Sequence, residues 1–286
     1  DDMHPAKLAA WKKMGVNRLS IGIQSFQTEA LTWMNRAHTV AQSHAAIQMA
    51  LDAGIHNLSI DLIYGTPSLS DQALMADLDW IAHYQIKHVS CYALTVEDKT
   101  ALKKSIEKGQ IENIDSEKQA RHFEIVCARL KTMGLEHYEI SNFAKPGFRS
   151  QHNSHYWSGE TYLGLGPSAH SFNTISRQWN IANNALYIKS IAQGQLNFEI
   201  ELLTEANRYN EYMMTSLRRI EGFDLDLIAA KFGNRYYEHS IAIINEMEPR
   251  NIFNQNGNQY SLKDEAKFLA DGIASDFFIL ESAPSS

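Results

Sequence analysis

The sequence NRLSIGIQSF, residues 17–26, alternates apolar and polar side chains with the period of two that is typical of a β-strand. Its apolar face carries Leu19, Ile21 and Ile23 and is expected to pack against a helix. Its opposite face carries only a serine, a glycine and, at the end, Gln24. Because small and polar side chains leave room for a ligand and offer groups that bind it, this face indicates a ligand site.

Two later segments repeat the pattern, NLSIDLIYG at residues 57–65 and HVSCYAL at residues 88–94. Their polar faces carry Asp61 in the first segment and Ser90 with Tyr92 in the second. A helical pattern follows each of the three strands, so these segments predict consecutive βα units of an α/β barrel with a ligand at its mouth.

Composition limits the class of protein. The net charge of -7 argues against general nucleic-acid binding. The two cysteines, Cys91 and Cys127, lie far apart, which disfavours a disulfide framework and favours a reducing compartment. The sequence contains no apolar run of membrane-spanning length and no signal-peptide pattern at its start. We therefore expect a cytoplasmic protein without an integral membrane segment.

Changes in the pattern of predicted helices, strands and loops along the sequence indicate three parts. Residues 1–135 contain the βα units, and residues 136–200 form a β-rich extension with many loops. Residues 201–286 form a helical domain with a hairpin around Asn256-Gly257, which is a winged-helix-like pattern. Residues 204–286 carry 8 basic and 13 acidic side chains. Since this balance repels a phosphate backbone, the wing is interpreted as a packing module or a lid.

Several motifs occur in a fixed order along the chain: SIGIQSF (20–26), MNRAHT (34–39), SIDLIYGTP (59–67), YALTVEDKT (92–100), QHNSHYW (151–157) and YLGLGPSAHSF (162–172). In this order they resemble the radical S-adenosylmethionine family of the oxygen-independent coproporphyrinogen III oxidases. YALTVEDKT is similar to the Y-x-L-T-x-E-x-x-T of the heme chaperone subgroup, and HNSHYW to its H-N-x-x-Y-W. The resemblance covers nearly the whole chain.

The resemblance implies a [4Fe–4S] cluster held by C-x-x-x-C-x-x-C and a bound S-adenosylmethionine. This chain has no such cysteine motif, and Cys91 and Cys127 have neither its spacing nor its place. A cluster requires several thiolates that converge on one site. We therefore expect no metal ligands in this chain and no radical chemistry from it alone. We also expect that residue 1 falls midway through the family's partial (β/α) barrel, so that the chain carries its C-terminal βα units.

Three residues match family positions that contact S-adenosylmethionine: Gln24, Arg36 and Asp61. Gln24 and Asp61 are expected on the polar faces of their strands, and Arg36 in a loop at the carboxyl end of the sheet. A carboxylate accepts hydrogen bonds from hydroxyl or amino groups, and a guanidinium pairs with a carboxylate through two bonds. The alternative is structural: Arg36 and Asp61 pair with each other, and Gln24 bonds to the backbone.

The HNSHYW motif is a candidate heme contact through His152, Tyr156 and Trp157. An imidazole can bind the iron, and aromatic faces can contact the macrocycle. His155 lies in the same segment but does not match the motif. In the alternative interpretation, the segment is a loop whose aromatic rings fill the barrel. His170, which follows GLGPSA, is interpreted as part of a tight turn.

We expect a heme-trafficking chaperone that binds heme or another tetrapyrrole and hands it to a recipient protein. The first alternative is an enzyme, an oxygen-independent coproporphyrinogen III dehydrogenase of porphyrin biosynthesis. The second is a catalytically inert remnant of the family. Cofactor-dependent oxidation of a tetrapyrrole would distinguish the enzyme from the chaperone.

Overall fold

Five strands in the first half of the chain form one sheet. They are β1 (Arg18–Gln24), β2 (Asn57–Tyr64), β3 (His88–Ala93), β4 (Glu136–Glu139) and β5 (Asn142–Ala144). Their order in the sheet is β1-β2-β3-β5-β4. The first three are parallel, whereas β5 and β4 run antiparallel to their neighbours. The three predicted strands are therefore present, and β4 and β5 add a hairpin of two short strands to the sheet.

Six helices of the described residues belong to the same part of the chain. They are α1 (Pro5–Lys13), α2 (Thr28–Trp33), α3 (Val40–Asp52), α4 (Asp71–His83), α5 (Ala101–Glu107) and α6 (Ser116–Thr132). Thr39 and Gln42 form a capping box at the start of α3, in which each side chain accepts from the other residue's backbone N–H group. Helix α6 is capped by Asp115, whose carboxylate accepts from the N–H groups of Glu117 and Lys118, although Ser116 and Gln119 have the spacing of a capping box.

The core of the first half lies between β2 and the helices that pack on it. Leu58, Ile60 and Leu62 are almost completely buried, and α6 packs on β2 and on α4. Each such side chain contributes roughly 1.5–3 kcal/mol by its removal from water. The opposite face of the sheet keeps its polar side chains, as the alternation predicts.

A second, antiparallel sheet and two helices follow. The strands are β6 (His170–Phe172), β7 (Ser176–Asn180) and β8 (Phe198–Leu202), and the helices are α7 (Gln151–Trp157) and α8 (Asn184–Ala192). The HNSHYW motif was expected in a loop but lies in α7. The hydroxyl of Ser150 accepts from the N–H of Asn153 and so begins this helix.

The last part of the chain has the predicted winged-helix-like order. Its helices are α9 (Glu205–Leu217), α10 (Leu225–Phe232), α11 (Asn234–Met247) and α12 (Ala270–Asp276). The wing contains β9 (Phe223–Asp224), β10 (Phe253–Asn256) and β11 (Gln259–Leu262), with Gly257 in the expected turn. Tyr209, Phe223, Tyr236 and Phe277 fill the core of this part.

The structure is a computed structural model that describes residues 3–96, 98, 100–109 and 111–280, and it divides into two units at Arg149 and Ser150. The three-part division of the sequence stays a prediction, although residues 136–144 belong to the first sheet. Glu97 and Lys99 of the YALTVEDKT motif lie outside the described residues. In the described ranges, every helix is too short or too polar to cross a lipid bilayer.

Candidate functional site

The polar face of the first sheet is continuous across three strands. Because β1, β2 and β3 are parallel, residues in register point to the same side of the sheet. One row consists of Gly22, Asp61 and Ser90, and the preceding row consists of Ser20, Ser59 and His88. The predicted polar positions of three separate segments therefore meet on one surface.

Asp61 is the acidic side chain of this surface and is only half-buried. The hydroxyl of Ser20 donates to its two carboxylate oxygens over 3.2 and 3.5 Å. Burial raises the pKa of the Asp61 carboxyl above its ordinary value, against the opposing effects of the nearby hydroxyls of Ser90 and Ser20 and of the charge on Arg18. Asp61 is therefore a partly desolvated acceptor that can bind a hydroxyl or amino group of a ligand.

Gln24 ends β1 in a strained conformation. Its φ of 68° lies in the left-handed region, and the register of β1 with β2 shifts between Gly22 and Gln24. A Cβ atom at Gly22 would lie 2.7 Å from the side-chain nitrogen of Gln24. The amide of Gln24 therefore lies over Gly22, which is in register with Asp61 of the adjacent strand.

Arg36 lies exposed in the loop between α2 and α3. The neighbouring His38 attaches this loop to β1, since its Nε2 lies 3.1 Å from the carbonyl oxygen of Ile23. Within residues 3–96, no ion pair joins Arg36 to Asp61. The structure thus brings Gln24 and Asp61 together, and the structural alternative of an Arg36–Asp61 pair is absent.

Sequence reasoning missed two hydrogen-bonded chains that extend this surface. The ring of His88 contacts Ser59 Oγ at 2.7 Å and the hydroxyl of Tyr138 at 2.8 Å. Ser90 donates to Asn142, which donates to the carboxylate of Glu139. The polar residues of HYEISN (137–142) were a usable signal, but the antiparallel pairing that places Asn142 beside β3 was not predicted.

A cavity of about 520 Å³ lies in the second unit, and Tyr156 and Trp157 of the HNSHYW motif line it. The two rings pack edge to face at 5.4 Å, and half of the Tyr156 side chain remains exposed. His152 is exposed on α7 and is not among the residues that line the cavity. His155 is also exposed, with Nδ1 3.7 Å from the carboxylate of Glu160. The aromatic rings of the motif therefore border an open space, and a role for His152 stays a prediction.

The cysteines do not fit an iron–sulfur cluster. Cys91 is buried, and burial raises the pKa of its thiol well above the ordinary value, which opposes the thiolate that a metal requires. The other cysteine, Cys127, lies 3.7 Å from a ring nitrogen of His137. Among the described residues, no group of three or more histidine, cysteine or acidic side chains is placed to hold a metal ion.

Comparisons with known proteins identify similar chains. A sequence model of the radical SAM superfamily matches residues 1–81. The chain is 30% identical over 278 residues to the heme chaperone HemW of Bacillus subtilis, with 97% of this chain and 73% of that protein covered. It is 31% identical over 270 residues to the heme chaperone HemW of Mycobacterium tuberculosis, with 94% and 67% covered.

A solved structure has a similar fold. The structure described as coproporphyrinogen III oxidase (HemN) from Escherichia coli, a radical SAM enzyme, matches with a TM-score of 0.77 at 17% identity. The match covers 96% of this chain and 67% of that chain. This likeness confirms the predicted fold class, an α/β part of radical SAM type with a helical C-terminal part.

Proposed function

This chain belongs to the HemW family of heme chaperones, as the ordered motifs predicted, and from this membership we propose that the protein binds heme and transfers it to a recipient protein. The observation that carries the proposal is about 30% identity to two heme chaperones over nearly the whole chain. The oxidase alternative has less support, because the similarity to the oxidase structure is at 17% identity and concerns the fold. The free thiols of Cys91 and Cys127 support a cytoplasmic location.

The polar surface of the first sheet is proposed to hold S-adenosylmethionine. The half-buried carboxylate of Asp61 would accept from its hydroxyl or amino groups, and the amide of Gln24 would bond beside it. The exposed guanidinium of Arg36 would pair with a carboxylate of the ligand. When bound, this compound supplies an activated carbon–sulfur bond. The cysteines do not fit a [4Fe–4S] cluster, so the function proposed for these residues includes no radical step.

The heme contact is proposed to involve α7. His152 offers an exposed imidazole for the iron, and Tyr156 and Trp157 supply aromatic faces. His155 lies on the same helix and is also exposed, which makes it a matched control.

Titration with hemin, followed by the Soret band, tests the proposal on the wild type and the variants His152→Ala and His155→Ala. We expect a saturable Soret shift in the wild type that His152→Ala removes and His155→Ala retains. If the spectra and affinities of all three coincide, His152 is not an axial ligand. If the wild type shows no saturable change, heme binding itself is excluded.

A further inference from the structure

The cavity in the second unit has an unusual balance of charge. Four of the described side chains that line it are basic, namely Arg177, Arg208, Arg219 and Lys231, and one, Glu211, is acidic. The region from residue 204 onwards is acidic as a whole, so the basic character is local to this cavity. A concave site with this balance favours an anionic ligand.

The basic side chains of the cavity are not all neutralised by the protein. Arg177 pairs with Glu211 over 2.8 Å, which uses the acidic side chain of the lining. The Nε atoms of Arg208 and Arg219 are buried and have no hydrogen-bond partner in the part of the chain that the structure describes. Buried polar donors are usually paired, so two unpaired guanidinium nitrogens at one cavity indicate a missing acceptor.

Helix α9 places these groups on one face. Glu211, Tyr212 and Thr215 follow Arg208 by three, four and seven residues, and all four line the cavity. Arg219 follows Arg208 by eleven residues, which is close to three turns, and lies just beyond the end of α9. One arginine therefore lies near the start of α9 and the other just after its end, so a basic group borders each end of the helix face that lines the cavity.

Aromatic rings supply the apolar part of the lining. Tyr162 lies 5.6 Å from Tyr156 and 5.9 Å from Phe172, measured between ring centres. Tyr212 of α9 forms another pair with Phe232 at 5.7 Å. Such rings offer flat surfaces for a planar ligand. The volume of about 520 Å³ lies within the range of cofactor-sized sites.

We propose that this cavity binds a planar aromatic ligand with acidic side groups, with Arg208 and Arg219 donating to its carboxylates. The inference rests on the proposed heme function, which makes the ligand a tetrapyrrole and its acidic groups the propionates. The guanidinium groups form charge-assisted bonds with the carboxylates, and the tyrosine and phenylalanine rings contact the macrocycle. The cavity thus holds the periphery of the ligand, independently of any bond to iron.

Metal-free protoporphyrin IX is the probe, because it lacks the iron and so reports ring and carboxylate contacts alone. Its fluorescence is titrated against wild type, Arg208→Gln, Arg219→Gln and Arg235→Gln. Arg235 is an exposed arginine of α11 outside the cavity and serves as the control. We expect the Kd to rise roughly 10- to 100-fold for each cavity variant and to change less than about twofold for the control.

The dimethyl ester of protoporphyrin provides a second arm, since it keeps the ring and lacks the charges. We expect the wild type and the cavity variants to bind this ester equally. Arg208→Lys, which keeps the charge but loses the two-bond geometry, should give an intermediate Kd for the free acid. If Arg208→Gln does not fold, the lysine variant and the ester decide the question.

The outcomes separate the two proposals. If the wild type binds protoporphyrin and both cavity variants match it, the site is elsewhere and the heme function stands. If the wild type binds neither protoporphyrin nor hemin, the heme function and this site both fail. If adenosine monophosphate binds with the same arginine dependence and protoporphyrin does not, the cavity is a nucleotide site and the inference is overturned.

Discussion

At the residue scale, His88 shows how strongly burial changes a side chain on the polar surface. It is buried between Ser59 and Tyr138, which bond to its two ring nitrogens. Burial, with a contribution from the charge on Arg18, lowers the pKa of His88 from 6.5 to about 3. The imidazole is therefore neutral in the folded protein and serves as a bridge between β2, β3 and β4.

This pKa predicts how stability depends on pH. The unfolded chain takes up a proton at His88 below about pH 6.5 and the folded chain only near pH 3, so stability is lost as pH falls through this window. Between pH 6.5 and 5 the loss from this residue should be about 2 kcal/mol. Urea unfolding at pH 7 and pH 5 should show a smaller acid loss in His88→Gln than in the wild type. The variant of an exposed histidine, His56→Gln, should follow the wild type, and equal acid losses in all three would contradict the assignment.

Asp61 should change stability with pH in the direction opposite to His88. Because burial raises the pKa of its carboxyl in the folded state, its contribution to stability is present below the unfolded pKa and is lost as pH rises through the folded pKa. We expect Asp61→Asn to be at least as stable as the wild type at pH 7, with the difference declining toward pH 4.

The same variant should weaken S-adenosylmethionine binding by roughly 10- to 100-fold in calorimetry, since it removes a charge-assisted bond. An unchanged affinity would assign Asp61 to a structural role, and the exposed Asp52→Asn is the control.

At the scale of elements, the wing depends on a glycine that precedes β9. Gly222 has a φ of 71°, and a Cβ atom placed there would lie 1.9 Å from the carbonyl oxygen of Tyr260 in β11. Gly257 in the hairpin turn also has a positive φ, 61°, but open space around its Cβ position. A substitution at Gly257 therefore measures the cost of backbone strain alone, and a substitution at Gly222 adds the cost of a steric clash.

We expect Gly257→Ala to lower the free energy of unfolding by about 1–2 kcal/mol, the cost of a left-handed conformation for a residue with a side chain. Gly222→Ala should cost clearly more, because the added atom also forces β9 and β11 apart. Urea unfolding of the two variants beside the wild type measures both costs. Equal losses would mean that the close approach at Tyr260 relaxes without cost.

Helix α6 illustrates what local patterns leave open at this scale. Ser116 and Gln119 have the spacing of a capping box, but the structure uses the preceding residue, Asp115, as the cap. Asp115 and Ser116 are both good capping residues, and the choice between them depends on where the chain leaves the preceding loop. A cap is predictable to within one or two residues and no better.

At the scale of the whole molecule, the number of cysteines limits the capacity of these 286 residues to bind an iron–sulfur cluster. The chain has two cysteines, and one of them is buried with a raised thiol pKa. We expect anaerobic reconstitution with iron and sulfide to leave no stoichiometric cluster, measured by iron analysis and visible absorbance. A variant without cysteines, Cys91→Ala with Cys127→Ser, should match the wild type. A stoichiometric cluster that disappears in this variant would refute the expectation.

Local sequence patterns were sufficient for the elements and for part of the site. Alternation predicted the three parallel strands and the polar face with Asp61, because side-chain direction in a strand has a strict period of two. Gln24 lies beyond the shift in register, so its placement depended on the left-handed backbone there. The Asn256-Gly257 turn predicted the hairpin of the wing, because few other residues accept its positive φ. Ordered motifs predicted the family.

The contents of each site depended on tertiary structure instead. Tyr138 reaches His88, and Asn142 reaches Ser90, only because the β4–β5 hairpin turns back to pair with β3. This pairing joins segments about 50 residues apart, which local patterns do not encode. Likewise, the acidic total of the C-terminal region concealed the basic cavity, since net charge carries no position. Arg177 and Lys231 lie far from Arg208 in the chain. Only the packing of the folded chain around α9 brings the three side chains to the same cavity.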